Sequence, residues 1–178
     1  MSFTLNRNWV EMLKASLSDY ASELAKNIES VMTDQVLDPV DAHACALAAA
    51  LAAGNGELAF EISMSNELRG NDIREAVAKA VLFEKSTASY VAYTHAAQSE
   101  RLIVDSSGFS TNDFTTNGGT TPEQFILFCF VAAIVNQCDA SIRNNISMLK
   151  NYGVAQGSIQ SAARIASVIP SVGKCLLL

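Results

Sequence analysis

Apolar residues recur at helical spacing along most of the chain. From Trp9 to Met32 they return at steps of three and four, which predicts one amphipathic helix. The same spacing predicts a long helix from Ile73 to about Ser99, capped by Asn71-Asp72. No stretch of useful length alternates between apolar and polar residues in the manner of a strand. The pattern predicts an all-α fold of about six or seven helices, in a single domain covering residues 1–178.

A continuous apolar run marks the centre of the chain. It extends from Phe125 to Val135, after Thr121 as an N-cap residue and Pro122 at the first helical position. A run of this kind predicts a buried helix, and the polar stretch that follows places the thiol of Cys138 at the edge of the core. The run has about 11 residues, fewer than the roughly 18 that span a bilayer, so we expect no membrane span.

Residues that start, stop or exclude helices divide the rest of the chain. These signals predict a helix begun by Asp38-Pro39 and stopped at Gly54-Asn55-Gly56, a short helix from Glu57 to Leu68, a loop from Asp105 to Thr120, and a last helix from Gln156 to Ile169 stopped by Pro170.

Charge and cysteine usage narrow the class of protein. The formal net charge is −6, which would repel a phosphate backbone, so nucleic acid is not expected as a partner. The four cysteines lack the spacing of a disulfide framework, and no secretory signal is visible at the N-terminus. We therefore expect a cytoplasmic protein.

Three segments together resemble the alkylhydroperoxidase (AhpD) and carboxymuconolactone decarboxylase family. They are the alanine-rich block Asp41 to Asn55, the stretch Asn136 to Asn145, and the closing Leu149 to Val154. The resemblance implies an AhpD-like helical bundle that forms homo-oligomers, often trimers or multiples of them. It also implies thiol-dependent reduction of peroxides or of a peroxiredoxin partner, with a lipoylated protein as reductant. No cofactor or metal is expected.

The chemical motif of that family is interrupted in this chain. The family's active helix carries Cys-x-x-Cys, a histidine four residues later, and a glutamate about a dozen residues before the first cysteine. With Gly153-Val154 fixing the register, these positions fall on Cys138, Ser141, Asn145 and Ile126. Serine forms no disulfide, asparagine carries no proton between groups, and isoleucine has no carboxyl group. Only Cys138 remains as a candidate catalytic residue.

Two functions stay open on this reasoning. The first is a non-catalytic oligomeric scaffold or binding member of the family. The alternative is a peroxidase or thiol oxidoreductase that works through the single thiol of Cys138. Decarboxylase chemistry is a third route, which the missing histidine disfavours. Glu123 lies one turn before Ile126 and either approaches the same region or stabilises the start of its helix.

The remaining candidates have structural explanations beside the functional ones. Cys129 would lie about 13 Å along an unbroken helix from Cys138, so only a sharp bend near Asn136 would bring the two thiols together. The histidines, His43 and His95, are predicted to be helical residues with satisfied hydrogen bonds rather than metal ligands.

The C-terminal sequence Cys175-Leu176-Leu177-Leu178 matches a prenylation box. The alternative is an apolar tail that packs against the body of the protein or a neighbouring subunit.

Overall fold

The computed structural model describes residues 9–17, 19–103 and 119–175. Within these ranges it contains eight α-helices, two short 3-10 helices and no strand, which confirms the all-α prediction. The α-helices are α1 Trp9–Ser16, α2 Ser22–Thr33, α3 Pro39–Ala52, α4 Gly56–Ser63, α5 Asn71–Ser99, α6 Pro122–Val135, α7 Asp139–Asn151 and α8 Gln156–Cys175; the 3-10 helices are Asp19–Ala21 and Asn66–Leu68. None of the helices in these ranges is both long enough and apolar enough to cross a bilayer.

Helices α3 and α6 form the centre of the bundle. Helix α3 packs against α4, α5, α6 and α8, and α6 packs against α3, α5, α7 and α8. Every residue of α3 from 44 to 50 is buried, and most of these are alanines. Because the distance between packed helices depends on the side chains at the contact, these small residues let several helices approach α3 closely. The larger side chains of α6, including Phe128 and Phe130, fill the remaining space.

The predicted start signals of these two helices are confirmed. Asp38 caps α3 by accepting a hydrogen bond from the Val40 amide at 2.9 Å, with Pro39 at the first helical position. Thr121 and Gln124 form a reciprocal capping box at the start of α6. Both helices therefore begin where the sequence predicts.

The helix predicted from Trp9 to Met32 is divided into α1 and α2 by the 3-10 turn. Trp9 and Leu13 of α1 and Ile28 and Val31 of α2 are all buried, so both helices contribute to the same core. The helix predicted from Glu57 to Leu68 is divided in a similar way, into α4 and the second 3-10 helix. Apolar spacing continues across a tight turn when both sides face one core, which is why periodicity misses such breaks.

The predicted stop at Pro170 is wrong, since α8 continues through it to Cys175. Proline removes one backbone hydrogen bond from a helix, but Val172 and Gly173 beyond it are buried. Asn55 also donates from Nδ2 to the Gly173 carbonyl oxygen at 3.0 Å, tying the last turns of α8 to the start of α4. These contacts compensate for the lost bond.

Two predicted features lie outside the described residues. Most of the predicted loop from Asp105 to Thr120 does, and so do the last three residues of the prenylation-like sequence. Cys175 itself ends α8 as a partly exposed free cysteine.

Candidate functional site

The helix that carries the apolar run ends before it reaches Cys138. Helix α6 stops at Val135, and Gln137 adopts a left-handed backbone conformation with φ 56°. Cys138 is then the N-cap residue of α7, whose side chain makes no capping hydrogen bond. The chain thus breaks near Asn136, and α7 folds back to pack along α6.

Ser141 and Asn145 lie on the buried face of α7 together with Cys138. The exposed fraction is 8% for Cys138, 7% for Ser141 and 3% for Asn145. Spacings of three and four residues place side chains on one face of a helix, which accounts for this arrangement. The three positions that the family motif assigned to two cysteines and a histidine are therefore neighbours at the core.

A buried carboxyl group that the sequence analysis missed meets this face from α5. Glu84 is 1% exposed, and its Oε1 accepts a hydrogen bond from Asn145 Nδ2 at 2.8 Å. The Ser141 hydroxyl also faces the carboxyl group and lowers its pKa. The second oxygen, Oε2, is buried and accepts no well-aligned hydrogen bond. Helices α5 and α7 are joined through this polar cluster of Glu84, Ser141 and Asn145.

Burial dominates the electrostatics of the cluster. It raises the pKa of Glu84 above its ordinary value, and the interactions with Asn145 and Ser141 offset only part of that rise. No lysine, arginine or histidine in the described part of the chain forms an ion pair with Glu84. The protonated form of Glu84 is therefore favoured more than it is in a solvent-exposed glutamate.

The nearby thiol of Cys129 is held in its protonated form. Burial raises its pKa well above the ordinary range, and the negative charge of Glu84 raises it further. Cys45 in α3 is fully buried and its pKa is raised in the same way. Since the thiolate is the reactive species, neither cysteine is suited to act as a nucleophile. All four cysteines of the chain are free.

The α6 candidates for a relay carboxylate do not supply one. Ile126 is partly buried and packs against the core. Glu123 lies at the start of α6, where hydrogen bonds from the backbone and from Thr121 lower its pKa. This arrangement supports the interpretation of Glu123 as a carboxylate that stabilises the helix N-terminus.

The histidines lie apart from this cluster. His43 Nδ1 lies 2.8 Å from the Pro39 carbonyl oxygen, Nε2 lies 3.6 Å from Glu67 Oε2, and the ring packs edge-on against Trp9. His95 is exposed on α5, near the Tyr90–Tyr93 ring pair. Among the residues that the structure describes, no group of three His, Cys, Asp or Glu side chains is placed to hold a metal ion.

A pattern in the sequence could have revealed Glu84. Val77, Ala80 and Val81 are buried on one face of α5, and Glu84 continues that face at the next helical position. A carboxyl group in the apolar face of a helix requires a polar partner inside the protein. The family motif directed attention to the dozen residues before Cys138, whereas the carboxyl group comes from a different helix.

The chain is similar along most of its length to proteins named alkyl hydroperoxide reductase AhpD. The protein of that name from Caulobacter vibrioides (strain NA1000 / CB15N) is 27% identical over 169 residues, covering 94% of this chain and 92% of the relative. That from Rhodospirillum centenum is 29% identical over 175 residues, covering 94% and 90%. That from Bradyrhizobium sp. (strain BTAi1 / ATCC BAA-1182) is 27% identical over 165 residues, covering 92% and 90%. No family model matches the chain.

Proposed function

This chain belongs to the AhpD-like family, and from that premise we propose that it is a non-catalytic oligomeric member, a scaffold or binding protein without a dithiol cycle. The proposal concerns the family's chemical centre alone. The helical framework around that centre is retained.

The hydrogen bond between Asn145 and Glu84 carries the proposal. In an intact family motif the position of Asn145 would hold a histidine that moves protons. Here the asparagine amide donates to a buried carboxyl group at 2.8 Å and has no titratable proton to offer. Ser141, at the position of the second cysteine, faces the same carboxyl group. Both positions are thus used in a contact that holds α5 against α7.

Other residues near Cys138 do not supply the second thiol or the relay carboxylate that a dithiol cycle requires. The chain does break near Asn136, as pairing of Cys129 with Cys138 would require, but both cysteines are free and burial keeps the pKa of the Cys129 thiol well above its ordinary value. Ile126 supplies no carboxylate to a relay. A peroxiredoxin or a lipoylated protein, the partners that the resemblance suggests, would find no internal disulfide to form or reduce.

Exposed apolar side chains support the oligomeric part of the proposal. Leu82 and Tyr93 on α5 are 54% and 48% exposed. They are eleven residues apart, about three turns, so they lie on one face of the helix. Phe60 on α4 is 61% exposed. Contact with further copies of this chain, in a trimer or a multiple of it, would remove these side chains from water.

One observation favours the alternative, a thiol oxidoreductase that works through Cys138. This cysteine lies at the N-terminus of α7 and at the edge of the core rather than inside a helix. Its thiol would take one oxygen atom from a hydroperoxide, releasing the alcohol and forming a sulfenic acid. An external thiol would then displace water to form a mixed disulfide, and a second would release the reduced cysteine.

Peroxide consumption in the presence of a thiol reductant distinguishes the two functions. We expect the native chain to match the uncatalysed rate and the Cys138→Ser variant to match the native chain. Light scattering on the same sample should give a particle of at least twice the 19.0 kDa chain mass. Efficient turnover that disappears in Cys138→Ser would instead establish the single-cysteine mechanism, and a 19.0 kDa particle would contradict the oligomer.

A further inference from the structure

The carboxyl group of Glu84 is buried with one of its two oxygens poorly satisfied. Oε1 accepts the hydrogen bond from Asn145 Nδ2 at 2.8 Å, whereas the buried Oε2 accepts no well-aligned hydrogen bond from the described residues. A neutral acid tolerates such a place because it carries no charge. A carboxylate there has a full negative charge to stabilise, and a buried charge without a cation is costly.

Titratable groups on the neighbouring helices do not offset that charge. Helix α5 packs against α3, α6 and α7. On α6, burial and then the charge of Glu84 raise the pKa of the Cys129 thiol, which stays neutral. The other titratable groups described on these helices leave the pKa of Glu84 unshifted: Asp41, His43 and Cys45 on α3, Glu123 on α6, Cys138, Asp139, Arg143 and Lys150 on α7 and its N-cap, and Lys79 and Lys85 on α5 itself. An ionised Glu84 therefore depends on the Asn145 amide, the Ser141 hydroxyl and any water that reaches it.

The start of α7 is held less firmly than the starts of α3 and α6. Cys138 is its N-cap residue and makes no side-chain capping bond, whereas Asp38 and Thr121 cap the other two helices. Gln137 before it has the left-handed φ of 56°, which costs free energy in a residue other than glycine. The turn between α6 and α7 is therefore a place where the chain can hinge.

Movement of α7 about this turn would open the site from one side. Ser141 and Asn145 cover the carboxyl group from α7, about one and two turns after Cys138. Cys138 is itself only 8% exposed and shares their buried face. A displacement of α7 that lets water reach Glu84 therefore also exposes the Cys138 thiol.

We propose that Glu84 is a proton-dependent latch, whose neutral form keeps the first turns of α7 against α5 and whose ionised form releases them and exposes Cys138. Ionisation strengthens the hydrogen bond from Asn145, but burial has the larger and opposite effect on the pKa of the carboxyl group. Opening therefore releases a proton, and it becomes easier as pH rises from the ordinary pKa of 4.5 to the raised pKa of the closed form. The proposal concerns access alone, so it does not depend on whether Cys138 reacts with peroxide.

Hydrogen-exchange mass spectrometry of the full chain, from about pH 5 to about pH 8, tests the latch. After correction for the intrinsic exchange rate, the protection of the first turns of α7 should fall by up to about tenfold for each pH unit below the folded pKa of Glu84. In Glu84→Gln, which does not ionise, this protection should stay constant. Low concentrations of urea should leave the opening of α7 unchanged while they accelerate exchange in α3, because a local movement exposes far less surface than unfolding does.

Labelling with iodoacetamide measures the exposure of Cys138, and the buried Cys45 in α3 serves as the internal reference for unfolding. The rate at Cys138 in the native chain, divided by the rate in Glu84→Gln at the same pH, should rise about tenfold or more over the same pH range. The division removes the dependence on ionisation of the thiol, which both proteins share. Cys45 should react far more slowly throughout.

The matched control is Glu75→Gln, an exposed change on the same helix, which should behave as the native chain does at every pH. Circular dichroism verifies that each variant is folded, and the pH and urea dependence of the native chain decides the question if Glu84→Gln is not. The proposal is overturned if the protection of α7 in the native chain is independent of pH, if Glu84→Gln shows the same pH dependence, or if α7 and α3 respond equally to urea.

Discussion

Two contacts in this molecule pair a glutamate with a nitrogen donor from another helix, in very different surroundings. Glu84 and Asn145 join α5 to α7 at 2.8 Å, with both residues almost fully buried. Glu67 and His43 join the second 3-10 helix to α3 at 3.6 Å, with side chains that are 37% and 16% exposed. The acceptor is a glutamate carboxyl group in both contacts, whereas the donor, the distance and the access of water differ.

That difference determines what each contact contributes. Glu67 is accessible to water, which can hydrogen-bond to its carboxylate when the contact with His43 is lost. Breaking this contact therefore leaves no buried polar group without a partner. Glu84 is almost fully buried, so loss of the Asn145 amide leaves its carboxyl group with the full cost of desolvation. The buried contact is therefore the more costly of the two to break, although the Asn145 amide carries no charge.

Replacement of Asn145 by leucine should have the largest effect. The change keeps the approximate volume but leaves the Glu84 carboxyl group without its amide donor. We expect the free energy of unfolding to fall by about 2–3 kcal/mol, measured by urea denaturation at pH 7.

Asn144→Leu is the matched control, since Asn144 is exposed on the same helix. It should change stability by less than about 0.5 kcal/mol. Equal losses in the two variants would show that the Glu84–Asn145 contact does not stabilise the packing of α7.

Replacement of Glu84 by glutamine should change the pH dependence of stability. Burial raises the folded-state pKa of Glu84 above the ordinary value of 4.5. The unfolded chain therefore ionises first as pH rises, and the native protein loses stability between the unfolded and the folded pKa. Glutamine keeps an acceptor for Asn145 but does not ionise. The free energy of unfolding of the Glu84→Gln variant should therefore increase relative to that of the native chain across that interval, by about 1.4 kcal/mol for each unit of pKa difference.

Urea denaturation at intervals from pH 4 to pH 8 measures this gain. Glu75→Gln, an exposed change on the same helix, should reproduce the native pH profile. A stability difference between Glu84→Gln and the native chain that stays constant across this pH range would contradict the raised pKa.

The sequence alone predicts most of the fold because capping and apolar spacing are local. The Thr121 and Asp38 caps and the end of α5 at Ser99 follow from residues a few positions apart. The predicted cap of α5 by Asn71-Asp72 is wrong, because the helix begins at Asn71, after Gly70 as its N-cap residue. The break between α1 and α2, and the continuation of α8 through Pro170, depend on which distant residues bury each segment. Asn55, which binds Gly173 across 118 positions, has no local signature of that contact.

The candidate site is predictable only in part, for the same reason. The spacing of Cys138, Ser141 and Asn145 places them on one face of α7 from sequence. Their partner Glu84 is 61 positions from Asn145 and comes from outside the motif. The family motif is defined on the helix pair α6 and α7. It therefore contains no information about the Glu84 carboxyl group, which α5 contributes.

Replacement of Glu67 by glutamine should have the smallest effect, and it sharpens the comparison from the exposed side. Glutamine retains an oxygen that faces His43 Nε2, and water solvates whatever the substitution leaves unpaired. His43 keeps its contact with the Pro39 carbonyl oxygen at 2.8 Å and its edge-on packing against Trp9, so the start of α3 should not move. Even a fully charged pair near the surface contributes only about 0–1 kcal/mol, and we expect a loss of less than about 0.5 kcal/mol in the urea assay. Any part of the loss that comes from charge on the two side chains should shrink when sodium chloride is added, because salt screens interactions between charges that water reaches. A loss as large as that of Asn145→Leu, persisting in salt, would mean that access of water does not separate these two contacts.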